Sequence, residues 1–311
     1  MKTAILIPCY NEEKTIKKVI NDFQRVLPHA DIYVYNNNSS DRTEEIARNE
    51  GAIVRNENKQ GKGNVVRTMF REIDADCYIM TDGDDTYPAE AAPMLEEAVL
   101  NGHADMVIGD RLSSTYFTEN KRPFHNLGNK LVRKLINVFF KANVNDIMTG
   151  YRAFSPLFVK AFPVISRGFE IETEMTIFTL DNNMNIVELP IEYRDRPEGS
   201  ESKLNTYSDG YKVIKTIIRL LRETRPFAFF TTISFIIWLI CLCIFIPIFH
   251  QFRVTGIVAQ FPTLIVISAM ATIGVINFFS GVILSVLKKQ HTQNFEHYIN
   301  LLHIINDKKE R

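Results

Sequence analysis

The sequence predicts an α/β domain with a mostly parallel sheet, followed by a two-helix transmembrane hairpin. Over the first 110 residues, short apolar segments alternate with segments of helical periodicity, and parallel strands need helical crossovers of this kind. Nearer the C terminus, residues 227–249 and 261–287 contain no charged residue. The alternation therefore predicts the sheet, with ligands at the carboxyl ends of its strands, and the apolar segments predict the hairpin.

Five strands and six helices follow from these patterns. Apolar segments bounded by turn residues predict strands at residues 3–7, 32–35, 53–55, 77–81 and 106–108. Helical spacing of apolar residues predicts helices at residues 16–27, 43–50, 62–73, 89–101, 129–140 and 172–182. Between residues 111 and 208 the pattern is less regular, and it predicts no further strand.

The two apolar segments near the C terminus are long enough to cross a bilayer. At 1.5 Å per residue, the first would form a helix of about 35 Å, compared with a hydrocarbon core of about 30 Å. Lys and Arg residues precede the first segment and follow the second, whereas residues 250–260 between them carry only Arg253. Cytoplasmic segments carry an excess of Lys and Arg. We therefore expect a multi-pass protein of the plasma membrane, with its globular domain and both termini in the cytoplasm.

These patterns divide the chain into four parts. We expect residues 1–208 to form the cytoplasmic domain, 209–226 an amphipathic helix, 227–287 the two spans and 288–311 a cytoplasmic tail. Apolar and basic residues lie on opposite sides of the amphipathic helix, which is typical of a helix packed on a domain or of one lying in the membrane interface. The basic face and the adjoining span favour the interface. The apolar stretch at the N terminus is too short for a signal peptide.

The composition excludes several classes of protein. The 36 Lys and Arg residues balance 36 Asp and Glu residues, and a neutral chain is a poor candidate for binding nucleic acid. A hydrophobic content of 46% with 23% charged residues excludes a disordered chain. The four cysteines form no Cys-x-x-Cys pair, so neither a disulfide scaffold nor a zinc site is indicated.

An acidic motif, IMTDGDDTYP at residues 79–88, brings three carboxylates to the end of the fourth predicted strand. Like charges at this spacing repel one another. A hard divalent cation, Mg²⁺ or Mn²⁺, would relieve the repulsion and bridge to substrate phosphates. The alternative is a solvated acidic turn in which Asp85 caps the next helix.

A second motif, IPCYNEE, follows the first predicted strand. Pro8, Tyr10, Asn11 and Glu12 would lie where a nucleotide base and ribose bind in such sheets. The alternative is a helix N-terminus capped by Asn11.

In a third motif, QGKGNVVR, glycines flank a lysine. Gly61 and Gly63 would let the backbone approach a phosphate group, and Lys62 would add a cation. Elsewhere, Arg111 could simply pair with its neighbour Asp110, as exposed ion pairs commonly do. The acidic residues of FEIETEM, among them Glu172, could form a solvated helix start.

These motifs, in this order, resemble glycosyltransferase family 2. Further segments carry the resemblance: IGDR at 108–111, NKRPFHNLGNKLVR at 120–133, DIMTGYRAF at 146–154, GFEIETEM at 168–175 and YRDRPEGSESKLNTYSDG at 193–210. From about residue 3 to residue 230, the chain is similar to bacterial polyprenyl-phosphate glycosyltransferases related to dolichol-phosphate mannose synthase. The resemblance implies a GT-A (Rossmann-like) domain.

The resemblance also implies roles for particular residues. Asp84, as the more direct ligand, and Asp82 would hold the metal ion. Arg111 would contact the donor diphosphate or the acceptor phosphate, and Asp146 would lie near the sugar and the acceptor phosphate, so that Asp146, Arg111 and Asp84 are the catalytic candidates. The residues implied to bind the nucleotide sugar are Pro8, Tyr10, Asn11, Glu12, Asn36, Asn38, Lys62, Asp82 and Gly83. Those implied to bind the acceptor phosphate are Arg122, Arg196, Ser202 and Lys203.

One departure concerns the nucleotide base. Where the family usually has Asp-Asp-Gly-Ser, this chain has Asn-Asn-Asn-Ser at residues 36–39. An asparagine still offers both a donor and an acceptor to a base edge.

The activity that the resemblance implies is an inverting transfer of glucose or N-acetylglucosamine from a UDP-sugar to undecaprenyl phosphate. The product would be a β-linked polyprenyl-phosphate sugar for modification of cell-envelope glycans. A processive polysaccharide synthase is one alternative, although the QxxRW segment usual in such enzymes does not occur here. A non-catalytic, membrane-anchored sugar-nucleotide sensor is another. The sequence leaves open the sugar, the metal and the oligomeric state, a homo-oligomer included.

Overall fold

Seven strands in the first part of the chain form a single sheet. The computed structural model describes residues 1–113, 133–194, 215, 218–219 and 221–309, and the chain divides into two units, Met1–Ile217 and Ile218–Arg311. The strands are β1 Thr3–Cys9, β2 Asp31–Asn36, β3 Ile53–Asn56, β4 Cys77–Met80, β5 Met106–Asp110, β6 Arg152–Phe154 and β7 Ile186–Pro190. Their order in the sheet is β3-β2-β1-β4-β6-β5-β7.

The helices of this unit confirm the predicted alternation. They are α1 Ile16–Val26, α2 Thr43–Asn49, α3 Lys62–Glu72, α4 Ala92–Leu100, α5 at 133–140, α6 Pro156–Ala161 and α7 Ile171–Asp181. All five predicted strands are present within two residues of their expected ends. The beginning of the helix expected at 129–140 lies outside the described residues.

The sheet is parallel except at β6, which runs antiparallel to both β4 and β5. β7 pairs in parallel with β5 at the sheet edge. Neither β6 nor β7 is predicted from the sequence. β6 has only three residues and begins with the fully buried Arg152, so it shows no alternation of apolar and polar residues that would indicate a strand.

Helix α1 packs against the sheet through one apolar face. The buried residues of α1 recur at spacings of three and four: Ile16, Val19, Ile20 and Phe23. They share one core cluster with Ile5 and Ile7 of β1, and each such buried side chain contributes about 1.5–3 kcal/mol. The helix is therefore fixed against the sheet, and the loops that carry the predicted motifs follow the carboxyl ends of strands β1 to β5 at one edge.

The second unit contains two long apolar helices, α8 Pro226–Thr255 and α9 Phe261–Lys309. By length and composition, Pro226–Thr255 and Phe261–Leu301 could each cross a membrane. The helices pack antiparallel: the indole Nε1 of Trp238 donates to the carbonyl oxygen of Ala271 (3.2 Å), and a Cβ at Gly281 would lie 2.8 Å from Phe230 Cβ. The expected tail is helical and continuous with the second span.

Half of the predicted interfacial helix at 209–226 lies outside the described residues. Within that range, residues 215, 218–219 and 221–224 are helical.

Candidate active site

The loop after β1 is tied to the loop after β2 by Asn11. Its backbone is left-handed (φ 55°), its N–H donates to Ser39 Oγ (2.9 Å) and its Oδ1 accepts from the N–H of Ser40 (2.8 Å). Helix α1 begins only after Thr15, whose hydroxyl donates to the carbonyl oxygen of Gly83 (2.6 Å). Asn11 therefore joins two loops and does not cap the helix, so that alternative is wrong.

The other nucleotide candidates of this loop differ in exposure. Tyr10 exposes 40% of its surface, so its ring is accessible to a planar group such as a base. Pro8 and Glu12 are half-buried, and the N–H of Glu12 donates to Thr43 Oγ1 (2.8 Å). The structure thus places one accessible aromatic ring at the end of β1.

Asn36, an expected nucleotide contact, is buried and bonded within the protein. Its Nδ2 donates to Glu44 Oε2 and Asn56 Oδ1 (both 3.0 Å), and its Oδ1 accepts from the N–H of Ser39 (3.0 Å). A side-chain amide engaged on both sides is a poor reader of a base edge. The Asn36 side chain therefore holds the loop after β2, and a contact between Asn36 and the nucleotide stays a prediction.

The next two asparagines shape the neighbouring loop at 57–61. Asn37, which the sequence did not single out, donates from Nδ2 to the carbonyl oxygens of Glu57 (2.7 Å) and Lys59 (2.9 Å). Its Oδ1 accepts from the N–H of Gly61 (2.7 Å). Asn38 is exposed and donates to the carbonyl oxygen of Asn58 (2.9 Å), so of the two expected contacts it is the one that solvent reaches.

The glycines of QGKGNVVR make room for the protein's own backbone. A Cβ on Gly61 would collide with the carbonyl oxygen of Arg167, and a Cβ on Gly63 with that of Ser166. The N–H of Gly63 donates to the carbonyl oxygen of Arg167 (3.1 Å). The expectation that these glycines let a phosphate approach is therefore wrong for both, because residues 166–167 occupy that space.

Lys62 is buried between two carboxylates. Its Nζ lies 2.5 Å from Asp82 Oδ1 and 2.7 Å from Glu172 Oε1. Burial alone would lower the pKa of the Lys62 ammonium, but the charges of Asp82 and Glu172 raise it above its ordinary value, so the ammonium stays protonated. A Cβ on Gly150 would lie 2.5 Å from Asp82 Oδ2, so this position needs glycine. Glu172 is thus part of the site and no solvated helix start.

The three carboxylates of the acidic loop have separate partners. Asp84 Oδ1 accepts from the N–H (3.2 Å) and hydroxyl (2.6 Å) of Thr86, while Asp85 pairs with Lys18 (2.6 Å). Because Asp82 pairs with Lys62, two of the three charges are already compensated by lysines. Repulsion among them is therefore no argument for a cation, which corrects the sequence-based reasoning. The alternative of a solvated turn is wrong as well, since Asp84 and Asp85 are buried.

The acidic loop still fits a substrate-borne metal ion. Within the described residues, no three His, Cys, Asp or Glu side chains are grouped to hold a metal. Mg²⁺, however, is commonly held by one or two carboxylates, with substrate phosphates completing its coordination. The Lys62 contact of Asp82 is made by Oδ1, and Gly83 brings this loop close to β1, because a Cβ there would lie 2.8 Å from Cys9 Sγ. Asp84 and Asp82 are thus a suitable donor set.

Arg111 and Asp146 form a buried, two-point ion pair. Arg111 Nε donates to Oδ2 (2.7 Å) and Nη2 to Oδ1 (3.1 Å) of Asp146, a geometry that is stronger and more directional than a single contact. The rings of Tyr87 and Tyr193 lie 6.0 and 5.8 Å from Arg111 Cζ. Asp110 instead accepts from the N–H of Leu112 (2.9 Å). Two of the three catalytic candidates, Arg111 and Asp146, therefore lie together, and the alternative pairing of Arg111 with Asp110 is wrong.

Several residues of the site were missed by the sequence analysis. Tyr87 follows the acidic loop, and its hydroxyl accepts from the N–H of Gly150 (2.9 Å); its place in the motif could have indicated it. Arg152 and Glu188 lie on the unpredicted strands β6 and β7, where no pattern points to them. The acceptor candidates lie outside the described residues: Arg122, Arg196, Ser202 and Lys203.

Carboxylates and cations paired at the carboxyl edge of such a sheet are typical of enzymes that bind a nucleotide and act on its phosphates. The sequence matches the family model of glycosyl transferase family 2 over residues 4–160. The chain belongs to this family and is a glycosyltransferase, as its motifs predict.

Known relatives and structures agree with this assignment. The chain is 32% identical to a dolichyl-phosphate hexose transferase of Haloferax volcanii, over 71% of this chain and 95% of the relative. It is 28% identical to an undecaprenyl-phosphate mannosyltransferase of Micrococcus luteus, over 66% and 88%. The Mycobacterium tuberculosis glucosyl-3-phosphoglycerate synthase in complex with Mn²⁺, UDP and glucosyl-3-phosphoglycerate matches with a TM-score of 0.56 and 20% identity, over 70% and 79%. This likeness confirms the GT-A fold.

Proposed function

We propose that the enzyme transfers glucose or N-acetylglucosamine from a UDP-sugar to undecaprenyl phosphate, with inversion, for modification of cell-envelope glycans. The observation that carries the proposal is the buried Arg111–Asp146 pair beside the acidic loop. Both relatives are named for polyprenyl-type phosphate acceptors. Two helices long enough to cross a membrane suit an acceptor that resides there.

On the donor side, the exposed ring of Tyr10 would stack on the base, with Glu12 and Asn38 near the ribose and base. A Mg²⁺ or Mn²⁺ ion on Asp84 and Asp82, when bound, would neutralise the departing diphosphate. Lys62 holds Asp82 in place from the buried side.

On the acceptor side, a phosphate monoester is mostly ionised near neutral pH, because its second pKa is about 6. Its oxygen can therefore attack the anomeric carbon without a strong base. The new bond from carbon to oxygen forms on the face opposite the departing UDP, so the configuration inverts. Arg111 would stabilise the phosphate charge, and Asp146 fixes the guanidinium that does so.

The same proposal includes topology. We place residues 1–226 and the tail in the cytoplasm, with the interfacial helix 209–226 on the membrane and residues 250–260 outside. A Val258→Cys variant in a Cys243→Ser background should react with an impermeant maleimide only from outside intact cells. Labelling from the cytoplasmic side alone would contradict this orientation.

The activity is tested with the full chain in nanodiscs, supplied with Mn²⁺, undecaprenyl phosphate and labelled UDP-glucose, UDP-N-acetylglucosamine or GDP-mannose. We expect a lipid-linked monosaccharide from one of the UDP-sugars. A lipid product from GDP-mannose alone would show that the proposed UDP-sugar donor is wrong. A long polymer as the product would favour a polysaccharide synthase. UDP-sugar binding without turnover would favour a sensor. Equal transfer to a water-soluble sugar would contradict the lipid acceptor.

A further inference from the structure

The short segment that carries Asp146 is held by charged side chains on both sides. Residues 145–150 lie in the connection between α5 and β6, and loops of this kind are usually free to adjust. Here the Asp146 side chain is only 1% exposed and meets Arg111 at the end of β5. Arg111 alone, however, fixes only the carboxylate and leaves the backbone of the segment to other contacts.

Glu188 of β7 binds the backbone on the N-terminal side of this segment. Its Oε1 accepts from the N–H groups of Asn145 (2.8 Å) and Asp146 (3.2 Å), and its Oε2 from Asn145 Nδ2 (3.3 Å). Glu188 lies opposite Ile108 in the parallel register of β5 and β7. Because Arg111 follows β5, both partners of Asp146 come from adjacent strands of one sheet.

Arg152 of β6 binds the backbone on the C-terminal side. Its guanidinium donates to the carbonyl oxygens of Ile147 (2.6 Å) and Thr149 (3.0 Å) and to Thr176 Oγ1 (2.9 Å). Arg152 is completely buried, and among the described residues it makes no ion pair with a carboxylate. A buried charge is tolerated only when its donors are satisfied, and here the backbone of the Asp146 segment supplies two of the acceptors.

We propose that Glu188 and Arg152 are positioning residues that fix Asp146 for the acceptor step. Glu188 holds the amides before Asp146 and Arg152 holds the carbonyls after it, so the carboxylate meets Arg111 in one geometry. The proposal rests on the proposed function, in which this pair acts on the acceptor phosphate. Donor binding depends on other loops, so it should not change. A misplacement of about 1 Å at such a site can lower the rate by about 10²-fold.

The kinetic test compares Glu188→Ala with Glu188→Gln and with a control, Glu192→Ala, at an exposed position just after β7. In Glu188→Ala, kcat should fall by about 10- to 100-fold, with the KM for the donor and the affinity for UDP within about three-fold. Glu188→Gln retains an acceptor oxygen for both backbone amides and should recover most of kcat. Equal losses in kcat and UDP affinity would show general damage and overturn the proposal.

A second readout does not depend on activity. Hydrogen–deuterium exchange of peptides covering 143–150 should be faster in Glu188→Ala than in wild type and unchanged in Glu192→Ala. If Glu188→Ala does not fold, the Arg152→Lys variant is used in its place. Lysine keeps the positive charge but lacks the planar guanidinium that binds two carbonyl oxygens at once. Hydrogen exchange at residues 147–150 should therefore become faster, and kcat should fall. Wild-type exchange and kcat in that variant would overturn the proposal. Wild-type protein with no transfer activity would instead overturn the proposed function, whatever the exchange data show.

Discussion

The acidic loop and the Asp146 segment are both rich in charge, but they are held in different ways. In the acidic loop, the side chain of Asp82 is 28% exposed and forms an ion pair with Lys62. Asp146 is buried and pairs with Arg111 at two points, and its backbone N–H donates to Glu188 (3.2 Å). The acidic loop is therefore suited to a cation that arrives with the substrate, whereas the Asp146 segment is set before any substrate binds. Charges fixed in advance need no reorganisation during the reaction.

The largest effect should come from Asp84→Asn. This change keeps the shape and the acceptor for Thr86 but removes the charge that would hold a metal ion, so kcat should fall by about 10³-fold or more, equivalent to several kcal/mol. Transfer rates with titrated Mn²⁺ and after EDTA treatment measure this. Near-normal turnover, or full activity in EDTA, would mean that the carboxylate serves only the local turn.

Asp146→Asn should lower kcat by about 10²-fold, because it removes the charge opposite Arg111 while the shape stays. The affinity for UDP should stay within a few-fold, since the residues proposed to bind the donor lie on other loops. Isothermal titration with UDP and initial rates with lipid acceptor, measured on the same preparation, test both statements. Surviving transfer would remove Asp146 from the mechanism.

Arg111→Ala should also cripple transfer with little change in UDP affinity. It leaves the buried Asp146 carboxylate unpaired, which costs about 3–5 kcal/mol of stability. Thermal unfolding must therefore accompany the rate measurement. A stable variant with a normal transfer rate would show that the Arg111–Asp146 ion pair is not needed for the reaction.

Glu172→Gln should have a smaller effect, which should be confined to the dependence of the rate on Mn²⁺. Lys62 would lose one of its two charged partners and bind Asp82 more tightly, so the Mn²⁺ concentration for half-maximal rate should rise about five-fold, equivalent to about 1 kcal/mol. The rate at saturating Mn²⁺ should change little. A loss of kcat with unchanged Mn²⁺ dependence would place Glu172 elsewhere in the mechanism.

The smallest effect should come from Asp85→Asn, one residue from the critical carboxylate. Asp85 is buried, but it pairs with Lys18, whose side chain is 52% exposed. Asparagine keeps an oxygen that accepts from the Lys18 ammonium, so the loss should stay at about the 0–1 kcal/mol of a solvent-accessible pair. Asparagine also tolerates the left-handed backbone at this position (φ 60°). Rates within about three-fold of wild type are expected; a loss as large as that of Asp84→Asn would show that the whole loop acts as one unit.

Three features could be predicted from the sequence alone: the order of strands and helices up to residue 110, the two apolar helices and the motifs at the sheet edge. These features depend on periodicity and on residues close in the chain, which a sequence displays directly. The sequence could not indicate β6, because its three residues begin with a buried arginine and show no alternation of apolar and polar side chains.

The pairing of charged side chains could be seen only in the folded chain. Arg111 pairs with Asp146, 35 residues away, and Lys62 pairs with Asp82 and Glu172. The alternative partner Asp110 for Arg111, and the role expected of the glycines around Lys62, are both inferred from local spacing and are wrong. An ion pair between distant residues forms only if the loops that carry them meet at the sheet edge. Strand order and packing determine which loops meet, and these cannot be deduced from residues that are neighbours in the sequence.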